Sequence, residues 1–175
     1  MPMQYNTALG FAFCGAGLVA LVLRRGRSLL FIAGFLVLLG ALTLIQYFFG
    51  INLGIDELLH EADITVKTSH PGRMSPNTAL NFLLVGCALW LTHSNHALQQ
   101  SAGIILTALM LGIAISAFVG YLANLEAAYG YLDLTRMAIH TAAGFIVIGV
   151  GLGLYASKAS AESTHAWSAA AFILV

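Results

Sequence analysis

Five long apolar runs, separated by short polar links, dominate the pattern of the chain. A helix needs about 20 predominantly apolar residues, with 17 to 25 usual, to cross the roughly 30 Å hydrocarbon core of a bilayer. A sixth apolar run begins near Ala166 and reaches the last residue, but it is too short to span. The pattern therefore predicts six membrane helices, the last truncated, and the five complete runs cover residues 6–23, 29–50, 76–92, 101–123 and 137–156.

The same short sequence pattern begins three of these runs. Counting from Met3, Met74 and Met137, the three copies share Thr at +4, Ala at +5, Phe at +8, Gly at +12 and Leu at +15. We call this pattern the motif. Each motif helix is followed by a returning helix, so the sequence predicts three tandem helical hairpins in a parallel, pseudo-threefold repeat within one transmembrane domain. The predicted repeats are 1–72, 73–135 and 136–175, the third incomplete.

Composition strengthens the membrane interpretation. Hydrophobic residues make up 59% of the chain and charged residues only 8%, whereas an average soluble domain is about one-quarter charged. The lipid bilayer is therefore the expected partner. The formal net charge is zero, and without a basic block that could neutralise phosphates we expect no nucleic-acid partner.

The basic link Arg24-Arg25-Gly26-Arg27 predicts the orientation. Short basic links favour the cytoplasmic side of a membrane. The motif ends of the helices, and the N-terminus, are therefore expected outside, on a multi-pass membrane protein. Because the sixth run ends halfway through a membrane helix, we expect this chain to be part of a longer one.

Position +3 of the motif carries the first candidate binding residues, Asn6, Asn77 and His140. Polar side chains at membrane depth are costly unless they face a partner or a wet cavity. These three could converge around the pseudo-threefold axis as a hydrogen-bonding ring, as a ligand or ion site, or simply as helix caps. The neighbouring threonines could join such a site or bond within their own helices; they are Thr7, Thr78 and Thr141.

Two arginines stand immediately before a motif methionine, Arg73 and Arg136. They could pair with acidic side chains and brace the outer mouth of the bundle. For the second arginine the nearby acids are Glu126 and Asp133, which could equally be solvated loop charges.

A metal site is an alternative hypothesis for the residues at and beside the motif. Methionine and histidine form a ligand set that could hold copper, and paired histidines could hold haem. The candidate ligands are His140, His70, Met3, Met74 and Met137.

Catalytic chemistry has no visible support. The sequence shows no Gly-x-Ser-x-Gly, no His-Glu-x-x-His and no Gly-rich phosphate loop, so we expect this segment not to be an enzyme.

The strings "QYFFGINLGIDELL", "HPGRMSPNTALNFLLVGCALWL" and "LTRMAIHTAAGFIVIGVGLGL" resemble the multi-pass N-terminal membrane region of bacterial histidine kinases and diguanylate cyclases, which are often linked to PAS modules. The resemblance runs from about residue 6 to 155, and "HPGRMSPNTA" is its most specific part. It implies a sensory input module in a bacterial inner membrane for an unknown small-molecule ligand, with a kinase or diguanylate cyclase output downstream and a homodimer formed through that output domain. The alternative is a small membrane subunit of a redox or photosynthetic assembly that binds haem, pigment or copper.

Overall fold

Local sequence signals set the helix ends. The Ser75 side chain accepts a hydrogen bond from the Thr78 backbone N–H at 3.2 Å, and Pro76 occupies the first helical turn. This combination of a serine cap and a first-turn proline begins a helix at low cost. At the end of the second helix, Gly50 adopts a positive φ of 62°, a conformation that glycine takes without strain. Cap chemistry and apolar length together explain where these helices begin and end.

The structure, a computed structural model, describes residues 4–58, 72–94, 96–125 and 135–173, with side chains up to residue 158 in the last range. These residues form five helices and no strand. The helices are α1 (Tyr5–Val22), α2 (Gly26–Phe49), α3 (Pro76–Thr92), α4 (Ala97–Leu122) and α5 (Ile139–Ile173).

Four of these helices, all except α3, are long and apolar enough to cross a membrane. The remaining helix has 17 residues, a length of about 25 Å at 1.5 Å per residue. The chain is therefore an all-helical protein of membrane type, in agreement with the composition.

Helix α5 differs from the prediction. We expected a polar link over about 157–165 and a sixth helix from near Ala166, but one unbroken helix of 35 residues runs through both. The link "SKASAESTH" contains neither glycine nor proline, and alanine, serine, lysine and glutamate are all tolerated in a helix. Polarity alone therefore does not interrupt the helix, and the described part of the chain has five helices instead of six.

The three motif helices contact one another in the middle of the bundle. Helix α2 packs against α1 and α3, and helix α4 packs against α3 and α5. At the centre, the three phenylalanines of motif position +8 meet as a cluster, with ring centroids 5.4 Å apart for Phe11–Phe82, 4.8 Å for Phe11–Phe145 and 4.9 Å for Phe82–Phe145. Aromatic pairs at such distances are stabilising beyond their buried area.

Candidate functional site at the motif end

Arg73 lies at the motif end of the bundle, the end at which α1, α3 and α5 begin. Its side chain is completely buried, and its Nε donates a hydrogen bond to Asp56 Oδ2 at 2.8 Å. One terminal nitrogen also donates to Gln46 Oε1 and to the Ile51 carbonyl, both at 3.3 Å. A buried guanidinium is tolerated only when it is paired and hydrogen-bonded, and Asp56 supplies the countercharge.

Helix α2 contributes two further side chains. Gln46 Nε2 donates to both carboxylate oxygens of Asp56, at 3.0 and 3.2 Å, and its Oε1 accepts from the Leu53 backbone N–H at 2.7 Å. The centroid of the Tyr47 ring lies 5.3 Å from the Arg73 guanidinium carbon, within the range of a cation–π contact. We call Gln46, Tyr47, Asp56 and Arg73 the Arg73 cluster.

The Arg73 cluster joins three separate stretches of backbone. The Tyr47 hydroxyl donates to the Met74 carbonyl at 3.0 Å, which ties the end of α2 to the residue before the α3 cap. Asp56 belongs to the segment that follows α2, and Asn6 of α1 donates from Nδ2 to the carbonyls of Ile55 at 2.8 Å and Asp56 at 3.5 Å. Charged and amide groups therefore fix segment 51–56 against α1, α2 and α3.

One polar atom of the Arg73 cluster is left over. The Arg73 Nη1 atom is buried and has no hydrogen-bond partner. A buried donor without a partner carries a desolvation penalty of about 1 to 3 kcal/mol, more for a charged group. The cluster is therefore well connected but incompletely satisfied.

The predicted pairing with an acidic side chain is present at the first of the two arginines, and the bracing of an outer mouth stays a prediction. Arg73 pairs with an acidic side chain, Asp56. The corresponding acids considered for Arg136, Glu126 and Asp133, lie outside the described residues. The hydrogen bond from Tyr47 to the Met74 carbonyl has a counterpart in the third copy of the motif. There the Tyr121 hydroxyl donates to the Met137 carbonyl at 2.5 Å.

The three side chains of motif position +3 have different surroundings. Asn6 and Asn77 are buried, 6% and 8% exposed, whereas His140 is exposed. Within the described ranges no hydrogen bond joins any of the three to another. The structure therefore does not bring them together as a bonded ring. Asn6 is covered by segment 51–56, and His140 has no comparable described segment beside it.

The three threonines of position +4 share a common environment. Their side chains are 2–3% exposed. Thr78 Oγ1 pairs with Ser75 Oγ at 2.8 Å, so this hydroxyl belongs to the helix cap. The three buried residues are Thr7, Thr78 and Thr141.

The metal interpretation gains no geometric support from the described residues. Met74 and Met137 are 2% and 0% exposed and belong to the apolar core, while Met3 and His70 lie outside the described ranges. Where the structure describes the chain, no group of three or more histidine, cysteine, aspartate or glutamate side chains could hold a metal ion.

The buried polar residues that sequence reasoning missed include Gln46, Asp56 and Asn81. Asn81 is completely buried on α3, and neither its Nδ2 nor its Oδ1 has a partner. The sequence did contain a signal for Asn81. Asn81 stands at motif position +7, where the other two copies have Gly10 and Gly144, so a departure from a shared small residue marked the position.

Long apolar helices around a buried, charged cluster at one end define an all-helical membrane protein. Compared with known proteins, the chain matches no family model, no curated protein and no solved structure. Its function must therefore be inferred from the fold, the Arg73 cluster and the pattern of the sequence.

Proposed function

We propose that this chain is the membrane-embedded sensory input module of a bacterial signalling protein. It would lie in the inner membrane with the motif end and the N-terminus outside. A signal received at that end, or within the membrane, would pass to a cytoplasmic output domain that also forms a homodimer.

The observation that carries the proposal is the length of α5. Its 35 residues extend over about 52 Å, whereas the hydrocarbon core is about 30 Å thick. A helix that begins at the motif end therefore continues roughly 20 Å past the opposite face of the bilayer. Such a helix is a rigid connection between the membrane bundle and anything joined to it on the other side.

Helix number and orientation are mutually consistent in this proposal. If the motif end is outside and the 17-residue α3 is counted as a span beside the four longer helices, five spans bring the end of α5 to the cytoplasmic side, where a kinase or cyclase has its nucleotide substrate. A sixth span would return the chain to the outside. We therefore propose the three-copy arrangement of motif helices with the five helices of the described residues as its spans.

Repeated contacts support the parallel repeat. When Tyr47 of α2 is aligned with Tyr121 of α4, Val37 of α2 and Leu111 of α4 occupy equivalent positions. A Cβ added at Gly86 would lie 2.8 Å from a Val37 methyl carbon, and one added at Gly149 would lie 2.5 Å from a Leu111 methyl carbon. Each motif helix after the first thus packs, through the glycine at position +12, on the same position of the preceding helix.

The Arg73 cluster supplies the element that a signal could alter. A ligand changes a protein's conformation only through different affinities for two arrangements of its helices. Segment 51–56 is attached to α1, α2 and Arg73 by hydrogen bonds and one ion pair. Because the buried Arg73 Nη1 has no partner here, a second arrangement that supplied an acceptor to this atom would be favoured.

Helical-phase insertions test the proposal. Residues 1–175 would be joined to a dimeric histidine-kinase reporter, with one to four alanines inserted after Lys158. Each inserted residue rotates the downstream part by about 100°, so one or two insertions should change kinase output several-fold and four should nearly restore it. A reporter that is inactive in every fusion, or equally active in all, would contradict the proposal.

A further inference from the structure

A groove of about 530 Å³ lies between α1 and α2. Both helices are long and apolar enough to span a membrane. Phe31 is 71% exposed, so the groove opens to the outside of the bundle, where the surroundings of a membrane helix are lipid chains. The apolar lining residues are Ala12, Phe13 and Ala16 of α1 and Phe31 and Ile32 of α2.

One wall of the groove is held in place by aromatic packing. Phe13 of α1 stacks on Phe35 of α2, with ring centroids 4.0 Å apart. Beside it, Ala12 and Ala16 are exposed and present only methyl groups. A fixed aromatic wall next to small side chains leaves a preformed space that suits a flexible hydrocarbon chain.

The groove has a polar end as well as apolar walls. Arg27 and Ser28 complete its lining, and both belong to the first turn of α2, at the end of the bundle opposite the motif end. Arg27 is exposed, and Arg25 at the N-cap position makes no side-chain capping hydrogen bond. A guanidinium and a hydroxyl beside the positive end of a helix favour an anion with acceptor oxygens.

The charges around this polar end have one sign. Among the residues whose side chains the structure describes, the acidic ones, Asp56 and Glu57, follow α2 at the motif end. The basic residues of the opposite end are Arg24, Arg25, Arg27 and Lys158. Lysine and arginine near a membrane surface attract anionic headgroups. Charge complementarity therefore indicates which membrane lipid occupies the groove.

We propose that the groove between α1 and α2 binds an anionic phospholipid of the surrounding bilayer. One acyl chain lies between the phenylalanine and alanine side chains, and the phosphate accepts hydrogen bonds from Arg27 and Ser28. A zwitterionic phospholipid has the same chains, but its headgroup also carries a positive charge, which the arginine repels. The groove therefore selects lipids by the charge of the headgroup.

This lipid site is separate from the Arg73 cluster and does not depend on the sensory function. Gln46 and Tyr47 of that cluster belong to the last turn of α2, whereas Arg27 and Ser28 belong to its first turn. With the orientation proposed above, the groove faces the cytoplasmic leaflet, whose surface potential is negative because of its anionic lipids.

Photolabelling with two lipids tests the selection. The full chain in phosphatidylcholine vesicles would receive trace amounts of a phosphatidylglycerol or a phosphatidylcholine with the same diazirine-bearing chains. We expect phosphatidylglycerol to label residues 12–16 and 28–32 about five-fold more strongly, the ratio expected for one arginine near an anionic headgroup. Arg27→Gln should make the two lipids label equally, whereas Arg27→Lys should retain the preference. The control Lys158→Gln removes a cation at the same end but outside the groove and should leave the preference unchanged.

A groove-filling variant separates the groove from the general charge of the surface. Ala16→Trp should reduce labelling of residues 28–32 by both lipids about ten-fold, because the indole occupies the space of the acyl chain. The matched control is Ala108→Trp, at an exposed alanine that lines a separate groove between α4 and α5, and it should leave this labelling unchanged.

Three results would overturn the proposal. They are equal labelling of the wild type by the two lipids, undiminished labelling in Ala16→Trp, and a preference that survives in Arg27→Gln. Soluble glycerol phosphate should not compete with the lipid probe, because it lacks the acyl chain that fills the groove. Competition by glycerol phosphate would assign the polar end to a free phosphate and would also contradict the lipid site.

Discussion

Helices α3 and α1 carry the same motif, but only α3 is enclosed by other helices. Helix α3 contacts all four of the others, whereas α1 contacts α2, α3 and α5. At position +12, a Cβ added at Gly86 of α3 would lie 2.7 Å from the Ala33 carbonyl oxygen, but one added at Gly15 of α1 would meet nothing within 4 Å. The motif therefore specifies how these helices meet at the phenylalanine cluster, while the number of neighbours decides what the other positions do.

The largest difference between the two helices should arise at their motif ends. Replacing Arg73 with methionine leaves Asp56 buried without its countercharge, and breaking one side of a buried pair destabilises by about 3 to 5 kcal/mol. Arg27→Met, at an exposed position in the first turn of α2, is the matched control and should change stability by less than about 0.5 kcal/mol. Thermal unfolding in detergent measures both.

The double variant Arg73→Met with Asp56→Leu separates charge from packing. Removing both charges together should recover most of the loss, because neither partner is then left buried alone. A double variant no more stable than Arg73→Met would show that the contacts of the guanidinium with Gln46 and Tyr47, and not the ion pair, stabilise this end.

The position +12 glycines provide the second test. Gly86→Ala forces a methyl group against α2 backbone and should destabilise by about 1 to 3 kcal/mol. Gly15→Ala has free space around it and gains helix propensity, so it should be neutral or stabilising by up to about 1 kcal/mol. Equal losses in the two variants would mean that α1 also has a helix packed on that face.

Substitutions at position +7 should change the free energy of unfolding by smaller amounts, with opposite signs in α3 and α1. Asn81→Leu removes a buried amide whose donor and acceptor have no partners, and we expect stabilisation of about 1 kcal/mol. Gly10→Ala should destabilise, because its Cβ would lie 2.7 Å from carbons of the Phe82 ring. Thermal unfolding measures both; destabilisation by Asn81→Leu would indicate that the amide binds a water molecule or another polar group in the membrane.

The smallest effect is expected at position +3 of the third copy. His140 is exposed, so His140→Asn, which restores the residue found in the other two copies, should change the free energy of unfolding by less than about 0.5 kcal/mol. The same unfolding measurement made on Asn6→Leu should show a larger loss, because Asn6 is buried and holds segment 51–56. A loss above about 1 kcal/mol in His140→Asn would indicate a buried partner for the imidazole.

The sequence by itself determined where the first four helices lie and that the three motif helices have equivalent faces. The apolar run predicted over 76–92 coincides with Pro76–Thr92 in the structure, because a serine cap, a first-turn proline and an apolar length are all local signals. The phenylalanine cluster follows from the motif, since residues repeated at one helical position lie on equivalent faces. The length of an apolar run predicts a membrane helix because backbone groups in lipid must be hydrogen-bonded within their own segment.

Tertiary structure alone decided the partners of the polar side chains. Arg73 pairs with Asp56, 17 positions earlier, and is further bonded by Gln46, 27 positions earlier; no periodicity in the sequence specifies which acid meets which arginine. Asn81 is likewise completely buried without a partner for its amide, which its place in the motif does not specify. Helix formation depends on neighbouring residues along the chain, but the rotation and approach of packed helices decide which polar groups are buried, paired or left exposed.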